Sequence, residues 1–219
     1  MKYFDETPHP DRLRLFLFRH GHLENSEKSV INGSTDIPLS EIGRKQMHFW
    51  KEKLSPFSFQ DFISSDLSRT LEGIAILAQG RNATHRKLSG FRERSFGIWE
   101  GKTRSQIASS DPEGYALWQK VDLSFSPPEG ESLSTFRSRI HTALDRFIAE
   151  TGFGRNVLMV GHSGVNRVLL LRALGVPLEN YFRFSQDYAA LNIIDFYRAG
   201  PPVVLLLNRL PDVEEAMHG

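Results

Sequence analysis

Leu13 to Gly21 reads LRLFLFRHG, a short apolar run that ends in an arginine, a histidine and a glycine. The run Leu13–Phe18 has the length and apolar content of a buried strand. The triplet Arg19-His20-Gly21 then falls where that strand ends and a polar loop begins. In α/β proteins, ligands bind beyond the carboxyl ends of the strands. The strand that indicates the fold is therefore followed directly by the residues that are candidates for the chemistry, Arg19 and His20.

Strands and helices alternate along the rest of the chain. Ser40 is a candidate N-cap, and the next apolar residues recur at helical spacing up to Leu54. Between Phe91 and Pro128 the sequence is rich in Gly, Ser, Pro and aromatic residues, which predicts irregular structure with a short helix at Tyr115–Lys120. The other predicted strands are Phe59–Ile63, His85–Leu88, Asn156–Val160, Ala190–Phe196 and Val203–Asn208, and the other predicted helices are 66–78, Glu131–Glu150 and Val165–Leu174.

This alternation predicts an α/β fold whose sheet is covered by helices on both faces. The last two predicted strands are expected to pair through the turn around Ala199-Gly200-Pro201. A length of 219 residues suits one domain. We therefore expect a single domain over residues 1–219, with a core from about 13 to 208 and short tails.

The overall composition is that of an ordinary globular protein. Hydrophobic residues make up 40%, charged residues make up 24%, and the net charge is +1, so we expect neither a nucleic-acid nor a membrane partner. The chain has no cysteine, and its first residues lack the apolar core of a signal peptide, which fits a soluble cytoplasmic protein. The sequence does not decide between a monomer and a homodimer. The basic groups Arg81/Arg86/Lys87, Arg92/Arg94 and Arg137/Arg139 are interpreted as solvated surface.

Three polar clusters follow predicted strands or begin predicted helices. They are Arg19-His20-Gly21, Ser65–Arg69 and Gly161-His162. Because parallel strands present their carboxyl ends at one edge of the sheet, these clusters can meet at a single site.

The residues in these clusters suit a phosphate ester. Arginine guanidiniums pair with phosphate oxygens through two parallel hydrogen bonds, which gives Arg19 and Arg69 a binding role, and His162 stands beside a helix N-terminus that favours an anion. His20 can attack phosphorus through a neutral ring nitrogen. Glu93, in FRERSFG, is the best-placed carboxylate to protonate the leaving alkoxide and then activate water.

Each of these residues also has a structural interpretation. Either histidine can be a hydrogen-bonded structural residue, Arg69 can pair with Asp66, and Glu93 can be a surface acid paired with its arginine neighbours. The pair His20-Gly21-His22 could chelate zinc, but a second compact pair of ligands is lacking, so no metal is predicted. The aromatic residues of the irregular segment, Phe96, Trp99, Tyr115 and Trp118, are interpreted as packing residues.

Several motifs in order carry a family resemblance. Leu17 to Gly21 contains an RHG triplet at the end of a strand. Further matching segments are Asn32-Gly33, Asp36–Ser40, Gly43, Ser64–Thr70, Arg92-Glu93, Phe96-Gly97, Trp99–Gly101, Gly130–Ser132 and Gly161–Gly164. Together they resemble the histidine phosphatase superfamily, also called the phosphoglycerate-mutase-like family, over about Leu13 to Arg172.

The resemblance implies a three-layer αβα sandwich with a mixed, mainly parallel sheet, and no cofactor or metal. It implies that His20 is the phosphorylated nucleophile, that Arg19, Arg69 and His162 hold the phosphoryl group, and that Glu93 is the proton donor and base. It also implies substrate contacts at Ser26, Asn32, Gly33 and Ser163.

The sequence departs from the family pattern just after the RHG triplet. His22 stands where Glu or Gln is common, Leu23 stands where a small hydroxyl residue is common, and Ser26 stands where a phosphate-contacting Asn is expected, directly after Asn25. His22 is interpreted as a tolerated surface residue, with a substrate or supporting role as the alternative.

The segment between Gly101 and Gly130 bears on the reaction. Mutases of the family carry a longer, more basic insertion here, whereas this segment has only Lys102, Arg104 and Lys120 as cations. The resemblance therefore favours hydrolysis of a small-molecule phosphomonoester, in the α-ribazole phosphatase and general phosphatase branch, with α-ribazole 5′-phosphate as the first substrate to test. The fructose-2,6-bisphosphatase domain shares the short form. A phosphoglycerate mutase or a weakly catalytic phospho-ligand-binding protein is the alternative.

Overall fold

The structure is a computed structural model that describes residues 9–212. The order of elements is β1 (Arg12–Arg19), α1 (Glu41–Lys53), β2 (Asp61–Ser64), α2 (Ser68–Ala78), β3 (Thr84–Lys87), α3 (Arg104–Ser110), α4 (Pro112–Gln119), α5 (Leu133–Thr151), β4 (Arg155–Gly161), α6 (Ser163–Leu174), β5 (Leu191–Tyr197) and β6 (Val203–Arg209). Short 3₁₀ turns lie at Ser26–Lys28, Ser89–Phe91, Gly97–Trp99 and Leu178–Asn180.

The strands form one six-stranded sheet in the order β3-β2-β4-β1-β5-β6. Strands β1, β2, β3 and β4 pair in parallel. Strand β5 runs antiparallel to β1, and β6 runs antiparallel to β5. The mixed, mainly parallel sheet and the predicted pairing of the last two strands are therefore confirmed.

Alternate residues of β1 pack into two separate cores. Leu15 and Leu17 join a core with α5 and α6 on one face of the sheet. Phe16 and Phe18 join a core with α1 and α2 on the other face. Because both faces of this strand are covered, seven of its eight residues are buried, including Arg12 and Arg14. The three-layer αβα architecture is confirmed. No helix within residues 9–212 has the length and apolar content that crossing a membrane requires.

The boundaries of several predicted elements differ from the structure by one or two residues. Strand β2 begins at Asp61, two residues later than predicted. This acid is buried at 2% exposure and accepts a hydrogen bond from Arg155 Nη1 at 2.8 Å. The helix that the sequence predicts over residues 66–78 begins at Ser68, as α2.

The segment predicted as irregular contains two helices. A capping box between Thr103 and Gln106 starts α3. The side chain of Asp111 accepts a hydrogen bond from Gly114 N at 2.9 Å, and Pro112 occupies the first turn of α4. The prediction of a single short helix at Tyr115–Lys120 is thus corrected by local capping.

Close backbone packing fixes the loop after β1. A Cβ on Gly21 would lie 2.8 Å from the Cα of Gly43, near the start of α1, and one on Gly43 would collide with the carbonyl oxygen of His22. Only glycine allows the two backbones to approach this closely. The packing sets the direction of the chain directly after His20.

Candidate active site

The backbone places His20 between two neighbouring strands. Its N–H donates to the carbonyl of Gly161 at 3.0 Å, and its own carbonyl accepts from the N–H of Ala189 at 3.0 Å. The ring of His162 lies next to it, with a centroid separation of 5.4 Å. The carboxyl ends of β1 and β4 therefore bring the two histidines together, as the sequence predicts.

The ring of His20 has a defined proton position. Its Nδ1 lies 2.9 Å from the carbonyl oxygen of Gly21, which can only accept, so Nδ1 carries the hydrogen. Within residues 9–212 Nε2 has no hydrogen-bond partner. Burial first, then the charges of Arg69 and Arg19, hold the pKa of His20 well below its usual range. The ring is therefore neutral and its Nε2 carries no proton, which is the form that a nucleophile requires.

Arg69 is a fully buried guanidinium that connects the site to the following loop. Its Nη2 donates to the carbonyl of Gly33 at 2.6 Å, and its Nη1 donates to the carbonyl of Thr35 at 2.7 Å. Its Nε donates to Nδ1 of His162 at 3.2 Å. The suggested pairing with Asp66 is wrong, because that carboxylate binds Arg92 at 2.6 and 2.8 Å instead.

His162 is completely buried behind the cavity. Because Nδ1 accepts from Arg69, the ring proton lies on Nε2, which donates to Ser65 Oγ at 2.9 Å. Burial first, then the charge of Arg69, lowers the pKa of His162 well below its usual range. His162 thus orients Arg69 as a neutral acceptor while its own ring is held by Ser65.

Arg19 lies on the other side of His20. Its Nη1 donates to the carbonyl of Gln186 at 2.7 Å, and its guanidinium stacks 3.8 Å from the centroid of the Tyr188 ring. The Tyr188 ring also lies 5.7 Å from that of His20. One carbonyl and one aromatic face therefore orient the cation beside the candidate nucleophile.

Glu93 reaches the site from the loop after β3. Its Oε2 accepts from the N–H of Gly164 at 2.8 Å, and its Oε1 accepts from the N–H of Arg94 at 2.9 Å. Gly164 lies in the first turn of α6, whose N-terminus favours a carboxylate. The structure thus places Glu93 in the lining of the same cavity as His20.

These groups surround one cavity of about 350 Å³. Of the predicted site residues, Arg19, His20, Asn32, Gly33, Arg69, Glu93 and Ser163 line it. Ser26 belongs to its surroundings instead, since its Oγ accepts from Leu23 N at 3.0 Å and donates to Tyr188 Oη at 3.1 Å. The amide of Asn32 pairs with that of Asn25, at 2.7 and 3.1 Å.

Sequence reasoning missed several residues that hold the site together. Glu100 accepts from the N–H groups of Ser34 and Phe96, both at 2.9 Å, and so ties together two loops that line the cavity. Arg94, interpreted as solvated, is 3% exposed and donates to the carbonyl of Glu131 at 2.7 Å. A lone acid or arginine in a loop carries no periodic signal that identifies its backbone partners.

His22 is half-buried rather than a free surface residue. Its Nδ1 lies 2.8 Å from Ser40 Oγ, and its ring lies 5.4 Å from that of Tyr188. The interpretation of His22 as a surface residue is corrected by these two contacts.

In the part of the chain that the structure describes, no group of three or more His, Cys, Asp or Glu side chains is placed to hold a metal ion.

Comparison with models of known protein families identifies the family of this chain. The model of the histidine phosphatase superfamily (branch 1) matches residues 15–209. The chain belongs to this superfamily. The match spans β1 through β6, and therefore includes every residue of the site described above.

Known relatives of this histidine phosphatase have more than one substrate in their names. Over 204 residues it is 26% identical to the adenosylcobalamin/alpha-ribazole phosphatase of Escherichia coli, covering 93% of this chain and 100% of that one. The crystal structure of the alpha-ribazole phosphatase from Shigella flexneri superposes with a TM-score of 0.82 at 26% identity, covering 89% and 96%. A mycobacterial glucosyl-3-phosphoglycerate phosphatase gives 0.80 at 25% identity, covering 90% and 99%.

Proposed function

We propose that this chain hydrolyses a small-molecule phosphomonoester through a phosphohistidine on His20, without a metal ion. The observation that carries the proposal is the state of the His20 ring. Its Nδ1 hydrogen is engaged by the carbonyl of Gly21, which leaves a neutral Nε2 for attack beside Arg19 and Arg69. A neutral nucleophile next to two cations suits the attack on a phosphate dianion.

In the first step His20 Nε2 forms a bond to phosphorus while the ester P–O bond breaks. Glu93, in its protonated form, gives its proton to the leaving oxygen, so that the product is an alcohol rather than an alkoxide. Arg19 and Arg69 bind the equatorial oxygens, where negative charge is spread in the transition state.

In the second step water attacks the phosphorus of the phosphohistidine. Glu93, now a carboxylate, accepts a proton from that water, the N–P bond breaks, and its electron pair returns to His20 Nε2. Inorganic phosphate leaves, and the protonated Glu93 is ready for another ester. His162 acts on both steps by orienting Arg69 through Nδ1.

The relatives named as alpha-ribazole phosphatases support α-ribazole 5′-phosphate as the first substrate to test. The short segment from Gly101 to Gly130 supports hydrolysis over mutase chemistry. A mutase would have to retain a doubly phosphorylated intermediate and exclude water from it.

The test is phosphate release in excess EDTA by the wild type and by His20→Ala, with His48→Ala as the control. His48 is an exposed histidine on α1 and lies outside the lining of the cavity. The panel holds p-nitrophenyl phosphate, α-ribazole 5′-phosphate, phosphoglycerates and sugar phosphates. We expect the wild type and His48→Ala to be active and His20→Ala to be inactive.

Three other outcomes would contradict the proposal. Activity that is lost in EDTA and restored by a divalent metal would indicate metal catalysis. Intramolecular transfer on 3-phosphoglycerate without phosphate release would indicate a mutase. Stable phosphorylation of His20 with negligible turnover would indicate a phospho-ligand-binding protein.

A further inference from the structure

Five aromatic side chains line the active-site cavity, and we call three of them the aromatic wall: Phe96, Trp118 and Phe182. Phe96 follows Glu93 in the loop after β3, Trp118 lies on α4, and Phe182 follows the 3₁₀ turn Leu178–Asn180. Neither core of the described chain includes any of the three. Their position in the cavity is therefore not explained by packing of the sheet.

The aromatic wall is ordered by its own ring contacts. The Trp118 ring meets Phe96 edge-to-face at a centroid separation of 6.4 Å and meets Phe182 edge-to-face at 5.9 Å. Behind it, the fully buried Trp99 packs against Trp118 at 6.3 Å and is itself anchored by a bond from Nε1 to Asp111 Oδ2 at 3.2 Å. A surface held in this way is preorganised for a planar ligand.

The exposure of Phe182 also favours a ligand. This side chain is 46% exposed although it lines a cavity beside the catalytic groups. An aromatic ring left in water forgoes the favourable free energy of burial, which a bound apolar group would restore. Neither a phosphoryl group nor a short polar chain offers such a surface.

We infer that the aromatic wall binds an uncharged aromatic or heteroaromatic ring carried by the alcohol part of the substrate. The inference rests on the proposed function, because it assigns the leaving-group half of the same cavity. That cavity, at about 350 Å³, lies at the lower end of the range for small-ligand sites and has room for more than a phosphoryl group. Arg104 and Arg167 also line it, which disfavours a cationic ring.

The kinetic test compares esters that share one leaving oxygen. Ribose 5-phosphate is compared with a set of ring-bearing ribose 5′-phosphates, namely α-ribazole 5′-phosphate and the four common ribonucleoside 5′-monophosphates. In all of them the leaving group is the primary 5′-hydroxyl of a ribose, so the chemistry at phosphorus is matched. For the wild type we expect kcat/KM of the best ring-bearing ester to exceed that of ribose 5-phosphate by about tenfold or more, the size of one base–aromatic contact.

The variants Trp118→Leu and Phe182→Leu should move that ratio towards one, by about tenfold each. Phe49→Leu is the matched control, because Phe49 is a partly buried aromatic residue on α1 that contacts Trp50 and lies outside the cavity lining. It should keep the wild-type ratio. A wild-type ratio near one, or a ratio that neither variant changes, would overturn the inference.

A binding measurement separates this inference from the proposed reaction. In His20→Ala protein the dissociation constants of ribose 5-phosphate and the ring-bearing esters can be measured from quenching of tryptophan fluorescence. Tighter binding of a ring-bearing ester that depends on Phe182 supports the inference even if no ester turns over, which would overturn only the proposed hydrolysis. Equal dissociation constants for all esters overturn the inference even if the wild type is an active phosphatase.

Discussion

The Oε2 atom of Glu93 accepts a hydrogen bond from the backbone N–H of Gly164 at 2.8 Å, at the first turn of α6. The other oxygen accepts from the N–H of Arg94 at 2.9 Å, so contact with this neighbour is through its backbone rather than its guanidinium. Two main-chain donors fix the orientation of the carboxylate, and the helix N-terminus stabilises the negative charge that remains after proton transfer. This geometry holds Glu93 in the orientation and in the carboxylate form that can accept a proton from water.

Glu93→Gln should separate the two proton transfers. Glutamine keeps an oxygen for the N–H donors but can neither protonate an alkoxide nor accept a proton from water. For an alkyl phosphate we expect both the first turnover and steady-state kcat to fall about 10²- to 10⁴-fold. For p-nitrophenyl phosphate, whose leaving group needs no proton, the first-turnover burst should survive while the steady state slows. Rapid-quench measurement of the burst checks this.

Equal losses in the burst for both esters would show that Glu93 does not protonate the leaving group. Unchanged steady-state turnover would show that it does not activate water. The melting temperature of the variant serves as the control for folding.

Gly164→Ala should disable Glu93 without altering any ionisable group. An added Cβ would collide with Oε1 of Glu93 and lie 2.5 Å from the hydroxyl oxygen of Tyr181. The carboxylate must then move away from the position set by the α6 N-terminus. We expect a fall in kcat of at least about tenfold with intact circular dichroism, and little further loss in Gly164→Ala/Glu93→Gln. Fully additive losses in the double variant would contradict a shared mechanism.

The parts of the site that could be predicted from sequence all lie at the ends of strongly buried strands. β1 and β4 are buried along nearly their whole length; Arg19 is the last residue of β1, and His20 and His162 directly follow the two strands. Once both strands are assigned, parallel pairing brings their ends together regardless of loop detail. This is why the convergence of the two histidines could be predicted without the structure.

The surroundings of these residues could not be predicted in the same way. Arg94, for example, donates to two backbone carbonyls, those of Glu131 and Phe125, and both lie more than thirty positions away in the chain. Likewise Tyr188 stacks on Arg19 across 169 positions, and no periodicity records such contacts. Helices α3 and α4 are a different case, since the caps at Thr103 and Asp111 are local and could have been recognised.

Arg69→Lys should weaken binding of the phosphoryl group, because lysine lacks the planar set of N–H donors that orients the arginine side chain. An ammonium group cannot bond to Gly33 O, Thr35 O and His162 Nδ1 in the geometry that the planar guanidinium uses. We expect kcat/KM to fall by at least about tenfold, since each charge-assisted bond contributes about 1.5–3 kcal/mol.

Arg81→Lys is the matched control for this loss. Arg81 also donates to two backbone carbonyls, those of Phe57 and Leu54, both at 2.6 Å, but it lies outside the active-site cavity. This variant should lose stability and keep its kcat/KM. If the two variants lose activity in parallel with their melting temperatures, the effect of Arg69 is on folding alone.

The stability of the protein should depend on pH through its two buried active-site histidines. In the native state the pKa values of His20 and His162 lie well below 6.5, mainly because burial disfavours the charged ring. Below pH 6.5 the unfolded chain therefore binds protons that the native state does not. Stability is then fully present above pH 6.5 and falls as the pH falls towards the native pKa values, by up to about 1.4 kcal/mol per pH unit for each histidine.

Urea unfolding at pH 7.5, 6.5 and 5.5, in buffers free of phosphate, measures this slope. His20→Gln and His162→Gln should each reduce it below pH 6.5, whatever they do to stability at neutral pH, because each removes one group that protonates only on unfolding. His48→Gln, which replaces an exposed ring, should keep the wild-type slope. If His20→Gln and His48→Gln give the same slope, His20 is protonated in the native state over this range. The neutral Nε2 on which the proposed attack depends would then be absent at those pH values.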